Sequence, residues 1–315
     1  MSDHPFASFT DLAQQRLGGA AVAASDDFFA DRTRINEPAE PVFIPGKYDE
    51  NGKWMDGWES RRRRDAGHDW CVIRLGAPGR IVGLEIDTRH FTGNFPPAAM
   101  IEACSSAEET PSEAAKWTPI TETLALNGDD RRFEPVASSD VYTHVRLNIY
   151  PDGGVARLRV YGEVYKDWST VDPGARIDLA AAENGGRALA CNDEHFGRLA
   201  NLLAPGRGVN MGDGWETRRR REPGADWGII ALARPGRIEE ILLDTAHFKG
   251  NYPDRCSIQA APESEAPVDA LIAQSLYWPV LLPEQKLYAD REHHFSAELS
   301  AHSPVKFIRL NLIPD

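Results

Sequence analysis

The chain has 315 residues, 42% hydrophobic and 26% charged, with a formal net charge of −13. That length and balance describe a soluble globular protein of two ordinary domains, and no apolar run is long enough to span a bilayer. The negative charge argues against a nucleic-acid partner, because such binding rests on neutralising phosphates.

Along the chain, Leu17 to Ala24 is small and apolar like the middle of an export signal. Asp3 and Asp11 stand where a basic segment belongs, so a cytoplasmic location is expected. The polar stretch Asp26 to Phe29 precedes DGWESRRRR, which begins at Asp56. Trp70 to Leu75 and Ile81 to Ile86 then read as two short strands, β-branched and separated by Gly-Pro punctuation. Asp87 to Pro96 forms a polar loop, DTRHFTGNFP, and a variable portion follows around Trp117. Arg146 to Asp152 reads RLNIYPD, and after the turn signal at Pro151 to Gly154 the segment Ala156 to Tyr161 alternates strictly, as a strand does.

The chain then repeats itself. Asp56 to Pro96 and Asp213 to Pro253 align without a gap at an offset of 157, and 24 of 41 positions are identical. A period this long means two copies of one domain rather than a solenoid. Residues 1–166 and 179–315 are the expected domains, with 167–178 as linker. Many short strands between Gly and Pro turns describe an all-β protein of two tandem β-sandwiches. Asp193 to Phe196 answers Asp26 to Phe29, and Arg309 to Asp315 answers Arg146 to Asp152. The second copy has no counterpart to Gly153 through Gly162, so either its last strand is absent or another element closes that sheet. Such incomplete pairing makes a homo-oligomer the expectation. Cys71, Cys104, Cys191 and Cys256 share no repeat position, as free thiols in a reducing compartment would.

Three constellations carry chemistry. In the runs Arg61 to Arg64 and Arg218 to Arg221, an extended segment sends Arg61 and Arg63 one way and Arg62 and Arg64 the other. The bland account is ion pairing with Glu59, Asp65 and Asp69. The sharper one is that an alternate pair clamps a carboxylate in a bidentate fork. The duplicated Asp87, His90, Asn94 and Asp244, His247, Asn251 could supply acid, base and orienting amide, or simply shape a loop. Trp58, Trp70, Trp215 and Trp227 read as core aromatics. No His-x-His, His-Glu-x-x-His or Cys-x-x-Cys spacing appears, so no metal is expected.

DGWE[ST]RRRR, the following [HA]DW, the DTxHFxGN[FY]P loop and the two RLN…PD segments, each present twice, resemble the allantoicase family. The resemblance implies two jelly-roll, galactose-binding-like β-sandwich domains. It also implies hydrolysis of the small molecule allantoate to ureidoglycolate and urea, in allantoin degradation. That chemistry needs a cationic clamp, acceptors for ureido N–H groups and an acid/base pair, but no cofactor. Arg61, Arg63, Arg218 or Arg220 are candidates for the clamp. Glu59, Glu216, Asp69, Asp226, Asn94 and Asn251 are candidates for the acceptors. Asp87, His90, Asp244 and His247 are the candidates for proton transfer, so replacing both histidines by Asn is expected to lower turnover about a hundredfold. The competing readings are a hydrolase of another small ureide such as ureidoglycolate, and a tandem carbohydrate-binding module. A neutral sugar needs no arginine clamp, which favours the enzyme.

Overall fold

The strand Asp69–Asp87 organises the first unit. A computed structural model describes residues 4–315, which divide into two units, one ending at Lys166 and the other spanning Asp167–Asp315. The first half of the long strand lies between Ala20–Ala24 and Val141–Tyr150, and the latter pairs onward with Ala98–Cys104. Its second half lies between Arg157–Val164 and Arg131–Pro135. One strand therefore serves both layers of a β-sandwich. Alternate residues fill the space between layers: Cys71, Ile73, Leu84 and Ile86 from the long strand, with Val145, Leu147, Leu158 and Val160 opposite, are all fully buried. Each such aliphatic side chain contributes about 1.5–3 kcal/mol by leaving water.

The sequence predicts two strands here, divided at Gly76 to Gly79, whereas the backbone remains extended throughout. The glycines serve close approach instead of a turn. A Cβ at Gly76 would stand 2.4 Å from the Leu17 carbonyl, and one at Gly79 would stand 2.6 Å from Leu12. The segment before the sandwich packs into those gaps, an arrangement invisible to local pattern.

The second unit repeats the plan with fewer strands. Its five-stranded sheet runs Arg187–Cys191, Asp226–Gly236, Val305–Ile313, Arg255–Ala261, Val280–Lys286. Ile241–Asp244 pairs with Glu292–Phe295. Among the described residues nothing occupies its other edge, where the first unit places Arg157–Val164, and Leu242 is 52% exposed. The helix Val268–Ser275 lies in the variable portion, with Asp269 in its first turn. Leu271 and Ile272 pack with Trp278 and Phe307 on this sheet. Sequence reading did not anticipate that helix.

Trp58 and Trp215 are buried, as expected of core aromatics, and their indole N–H groups donate to the Asp26 and Asp193 carbonyls at 2.8 Å. All four cysteines are free thiols. Among the described residues no helix is long and apolar enough to cross a membrane.

Candidate active site

Residues 61–64 belong to no ladder; side chains hold them in place. Asp26 accepts the Arg61 amide at 2.8 Å and its Nε at 2.7 Å. Asp152 accepts the Arg63 amide at 2.8 Å. The Arg63 guanidinium donates through Nη1 to Asp69 Oδ1 at 2.6 Å and to the His68 carbonyl at 3.2 Å. Gly67 has φ +138°, and a Cβ there would lie 3.3 Å from Arg63 Nη2, so glycine lets the loop fold over the guanidinium. Partial burial works against the Asp26 carboxylate, yet the Arg61 contacts hold it below the ordinary carboxylate range.

The result separates the four arginines into two pairs. Arg61 and Arg63 are committed to Asp26 and Asp69, while Arg62 and Arg64 are exposed and make no ion pair among the described residues. The alternation is the one the sequence predicts. The pair expected to clamp substrate is the pair already engaged. All four line an open hollow of ≈ 460 Å³ with Ser25, Asp26, Asp65 and Asp69. Asp69 Oδ2 is buried and accepts no hydrogen bond from the described residues. Arg63 Nε lies 3.2 Å from Asp65 Oδ1 and forms an ion pair with it.

Glu59 belongs to the two-residue strand that pairs with Gly154–Val155. Asn94 Nδ2 donates to Glu59 Oε1 at 2.7 Å, and the Asn94 carbonyl accepts the Gly154 amide at 2.7 Å. Burial pushes the Glu59 carboxyl above its usual range, and neither Asn94 nor the charge of Lys53 reverses this. Oε2 makes no hydrogen bond among the described residues.

Asp87 and His90 are occupied differently. Asp87 is 1% exposed and accepts the Arg89 amide at 2.8 Å and its guanidinium at 2.5–3.1 Å. His90 has φ +72°, its amide donates to Asp129 at 2.9 Å, and its Nε2 lies 3.1 Å from the Pro41 carbonyl. An imidazole nitrogen facing a carbonyl must carry the hydrogen. These contacts tie three loops together.

The second unit reproduces the pattern. Arg218 is held by Asp193 at 2.8 Å, Arg220 by Asp226 at 3.0 Å, and the Arg220 amide by Asp315 at 2.5 Å. Asn251 donates to Glu216 at 2.7 Å, and His247 Nε2 lies 2.8 Å from the Gly208 carbonyl at φ +69°. Among the described residues Arg219 and Arg221 are exposed without an ion pair, and the buried Asp226 Oδ2 and Arg220 Nε have no hydrogen-bond partner. Two substitutions preserve a contact by other means. Asn192 replaces Ser25 beside Asp226, and Arg207 from a separate loop pairs with Asp244 at 2.7 Å where Arg89 serves Asp87.

Sequence reasoning missed Ser25, Asp26 and Asp152 as members of this site. The signal was present, since Asp26 and Asp152 both sit in segments that recur. Among the described residues no group of three or more His, Cys, Asp and Glu is placed to hold a metal.

Comparison with known proteins agrees with this duplication. The family model described as "Allantoicase repeat" matches residues 10–165 and again 177–315. A probable allantoicase 1 of Burkholderia mallei is 57% identical over 98% of this chain and 91% of its own length. A probable allantoicase of Pseudomonas aeruginosa is 54% identical over 99% and 94%. The crystal structure of allantoicase from Saccharomyces cerevisiae superposes with a TM-score of 0.82 at 36% identity, covering 97% of this chain and 89% of that one.

Proposed function

Because the chain belongs to the allantoicase family, and so hydrolyses allantoate to ureidoglycolate and urea, we propose that the hollow beside the arginine run is where it does so. The observation that carries this is the exposed pair Arg62 and Arg64, which lines the hollow beside the engaged Arg61 and Arg63 and recurs in sequence as Arg219 and Arg221. A planar guanidinium fork is the complement of a carboxylate such as the one allantoate carries. Arg61, Arg63, Arg218 and Arg220 shape the hollow. The exposed Arg62 and Arg64, or Arg219 and Arg221, meet the substrate carboxylate.

Glu59, which is held by Asn94 and stands two residues before Arg61, outside the lining of the hollow, is assigned the proton. Its burial favours the neutral acid, the form that protonates the nitrogen of the departing urea. The lone pair of the remaining ureido nitrogen expels that urea, leaving an N-carbamoyl iminium carboxylate. Water adds to its carbon, and loss of one water proton gives ureidoglycolate. Asp87, His90, Asp244 and His247 hold the surrounding loops and take no part in proton transfer.

Incubation of the pure protein with allantoate, with urea quantified in the presence and absence of a chelator, tests the assignment. Equal urea release in both arms supports a route through side chains alone, and release abolished by chelator overturns that route. Self-association and a cytoplasmic location also belong to this reading, supported by the uncovered edge of Ile241–Asp244 and by four unpaired thiols.

A further inference from the structure

Among the described residues the second unit leaves unfilled the place that residues 153–164 take in the first. There Gly154–Val155 pairs with Trp58–Glu59, and Arg157–Val164 runs along the long strand with Arg157 opposite Asp87 and Val160 opposite Leu84. Four further contacts seat the segment. The Gly154 amide donates to the Asn94 carbonyl at 2.7 Å, and the Leu12 amide donates to the Val160 carbonyl at 2.7 Å. Arg157 Nη2 meets Asp56 Oδ2 at 3.0 Å, and Arg159 Nη1 meets Asp11 Oδ2 at 3.3 Å. Two of its positions require glycine. Gly153 has φ +139°, and a Cβ at Gly154 would stand 2.0 Å from the Phe91 ring.

Each of those four contacts has a counterpart in the second unit. Asn251 matches Asn94. Asp213 matches Asp56, and each accepts a valine amide, from Val209 at 2.7 Å and from Val42 at 2.9 Å. Leu179 matches Leu12, since its carbonyl accepts the Ala233 amide at 2.7 Å as the Leu12 carbonyl accepts that of Gly76 at 2.8 Å. Asp178 therefore stands for Asp11, and its Oδ1 accepts the Ala180 amide at 2.9 Å as Asp11 accepts that of Ala13 at 3.1 Å. Among the described residues the Leu179 amide and the Asn251 carbonyl make no hydrogen bond. Ile241 and Leu243 are half-buried where Leu84 and Ile86 are fully buried. A Cβ at Gly214 would meet the Phe248 ring at 2.7 Å, where one at Gly57 would meet Val155 and Ala156 at 2.4–2.6 Å, so filling this place displaces one aromatic ring. An open strand edge of this kind takes an extended segment as a further strand.

We propose that this edge is a docking groove for one further antiparallel strand, from outside residues 4–315, with the pattern Gly-Gly-x-x-Arg-apolar-Arg-apolar. Its two arginines meet Asp213 and Asp178, and its apolar residues cover Leu243 and Ile241. Its backbone takes the Leu179 amide and the Asn251 carbonyl. The two carboxylates favour this occupant over the Ile241–Asp244 edge of a second copy, which carries no cation. The inference is independent of where the ureide binds.

The test is a fluorescently labelled peptide, GGVARLRVYGE, with the sequence of residues 153–163, titrated with the 315-residue chain and followed by anisotropy. Saturable binding at one peptide per chain is expected, about tenfold tighter than that of a scrambled peptide of the same composition. Asp178→Asn keeps the oxygen that accepts the Ala180 amide and removes the charge, so it should weaken binding about tenfold. Equal binding of the two peptides would mean attraction by net charge alone and overturns the inference, as does unchanged affinity in the variant. An absence of saturable binding overturns it too, whether the edge stays empty or a second copy holds it. Should the variant not fold, the comparison of peptides on the unaltered chain still decides.

Discussion

Glu59→Gln separates the chemistry of the site from its architecture. Gln keeps the carbonyl oxygen that accepts from Asn94 at 2.7 Å, and it keeps the volume, so the 9%-exposed position stays filled. What disappears is the proton. Loss of a positioned general acid costs about 10²–10⁴ in rate, or about 2.7–5.4 kcal/mol at 1.36 kcal/mol per tenfold, and it should appear in kcat rather than KM. The pH dependence follows from the same group. Burial raises the folded carboxyl above its unfolded value, so its contribution to stability is fully present below the ordinary glutamate range and is lost as pH rises through the folded value. Above that folded value the wild type carries the cost of a buried carboxylate that the variant lacks. Urea release from allantoate across pH 5–9, paired with thermal unfolding at pH 4 and pH 7.5, reads both effects. The variant should lose activity, unfold at a higher temperature than wild type at pH 7.5, and match it at pH 4. Retention of a tenth of kcat, or a Tm difference that ignores pH, would refute the reasoning.

Arg157→Ala should destabilise the first unit by about 3–5 kcal/mol, because it leaves the 7%-exposed Asp56 uncompensated. Adding Asp56→Asn should return part of that loss in denaturant titrations. Gly67→Ala forces a side chain into φ +138° against the Arg63 guanidinium, at a cost of about 1–3 kcal/mol. It should raise KM more than it lowers kcat, and a kcat effect alone would misplace Arg63. Replacing His90 and His247 together by Asn should leave kcat within about threefold while costing about 1 kcal/mol for each lost imidazole–carbonyl bond, measured as a lower Tm. A hundredfold fall in turnover would restore the proton-transfer role that the sequence alone suggested.

Much of this molecule is legible without coordinates. A gapless repeat with 24 of 41 positions identical declares two domains, and the β-branched runs around Ile73 and Ile86 declare strands because period-two burial needs no long-range information. The arginine alternation is equally local. Which alternate pair is spoken for depends on Asp26, thirty-five positions away, and on Asp152, eighty-nine away. Local pattern cannot supply that choice. The same holds for Gly76 and Gly79, which imitate a turn signal until Leu12 and Leu17 are seen packed against them.

The different origins of the arginines on Asp87 and Asp244 set a limit on how freely the repeats can exchange parts. Arg89 belongs to the same decapeptide as its carboxylate, whereas Arg207 arrives from another loop. Grafting the first decapeptide into the second unit would crowd two guanidinium groups onto Asp244. The reverse graft would place alanine beside Asp87 and remove the cation that neutralises it there. Exchanging these stretches, which share seven of ten residues, would therefore cost stability in either direction, which is a reason for Arg89 and Ala246 to differ.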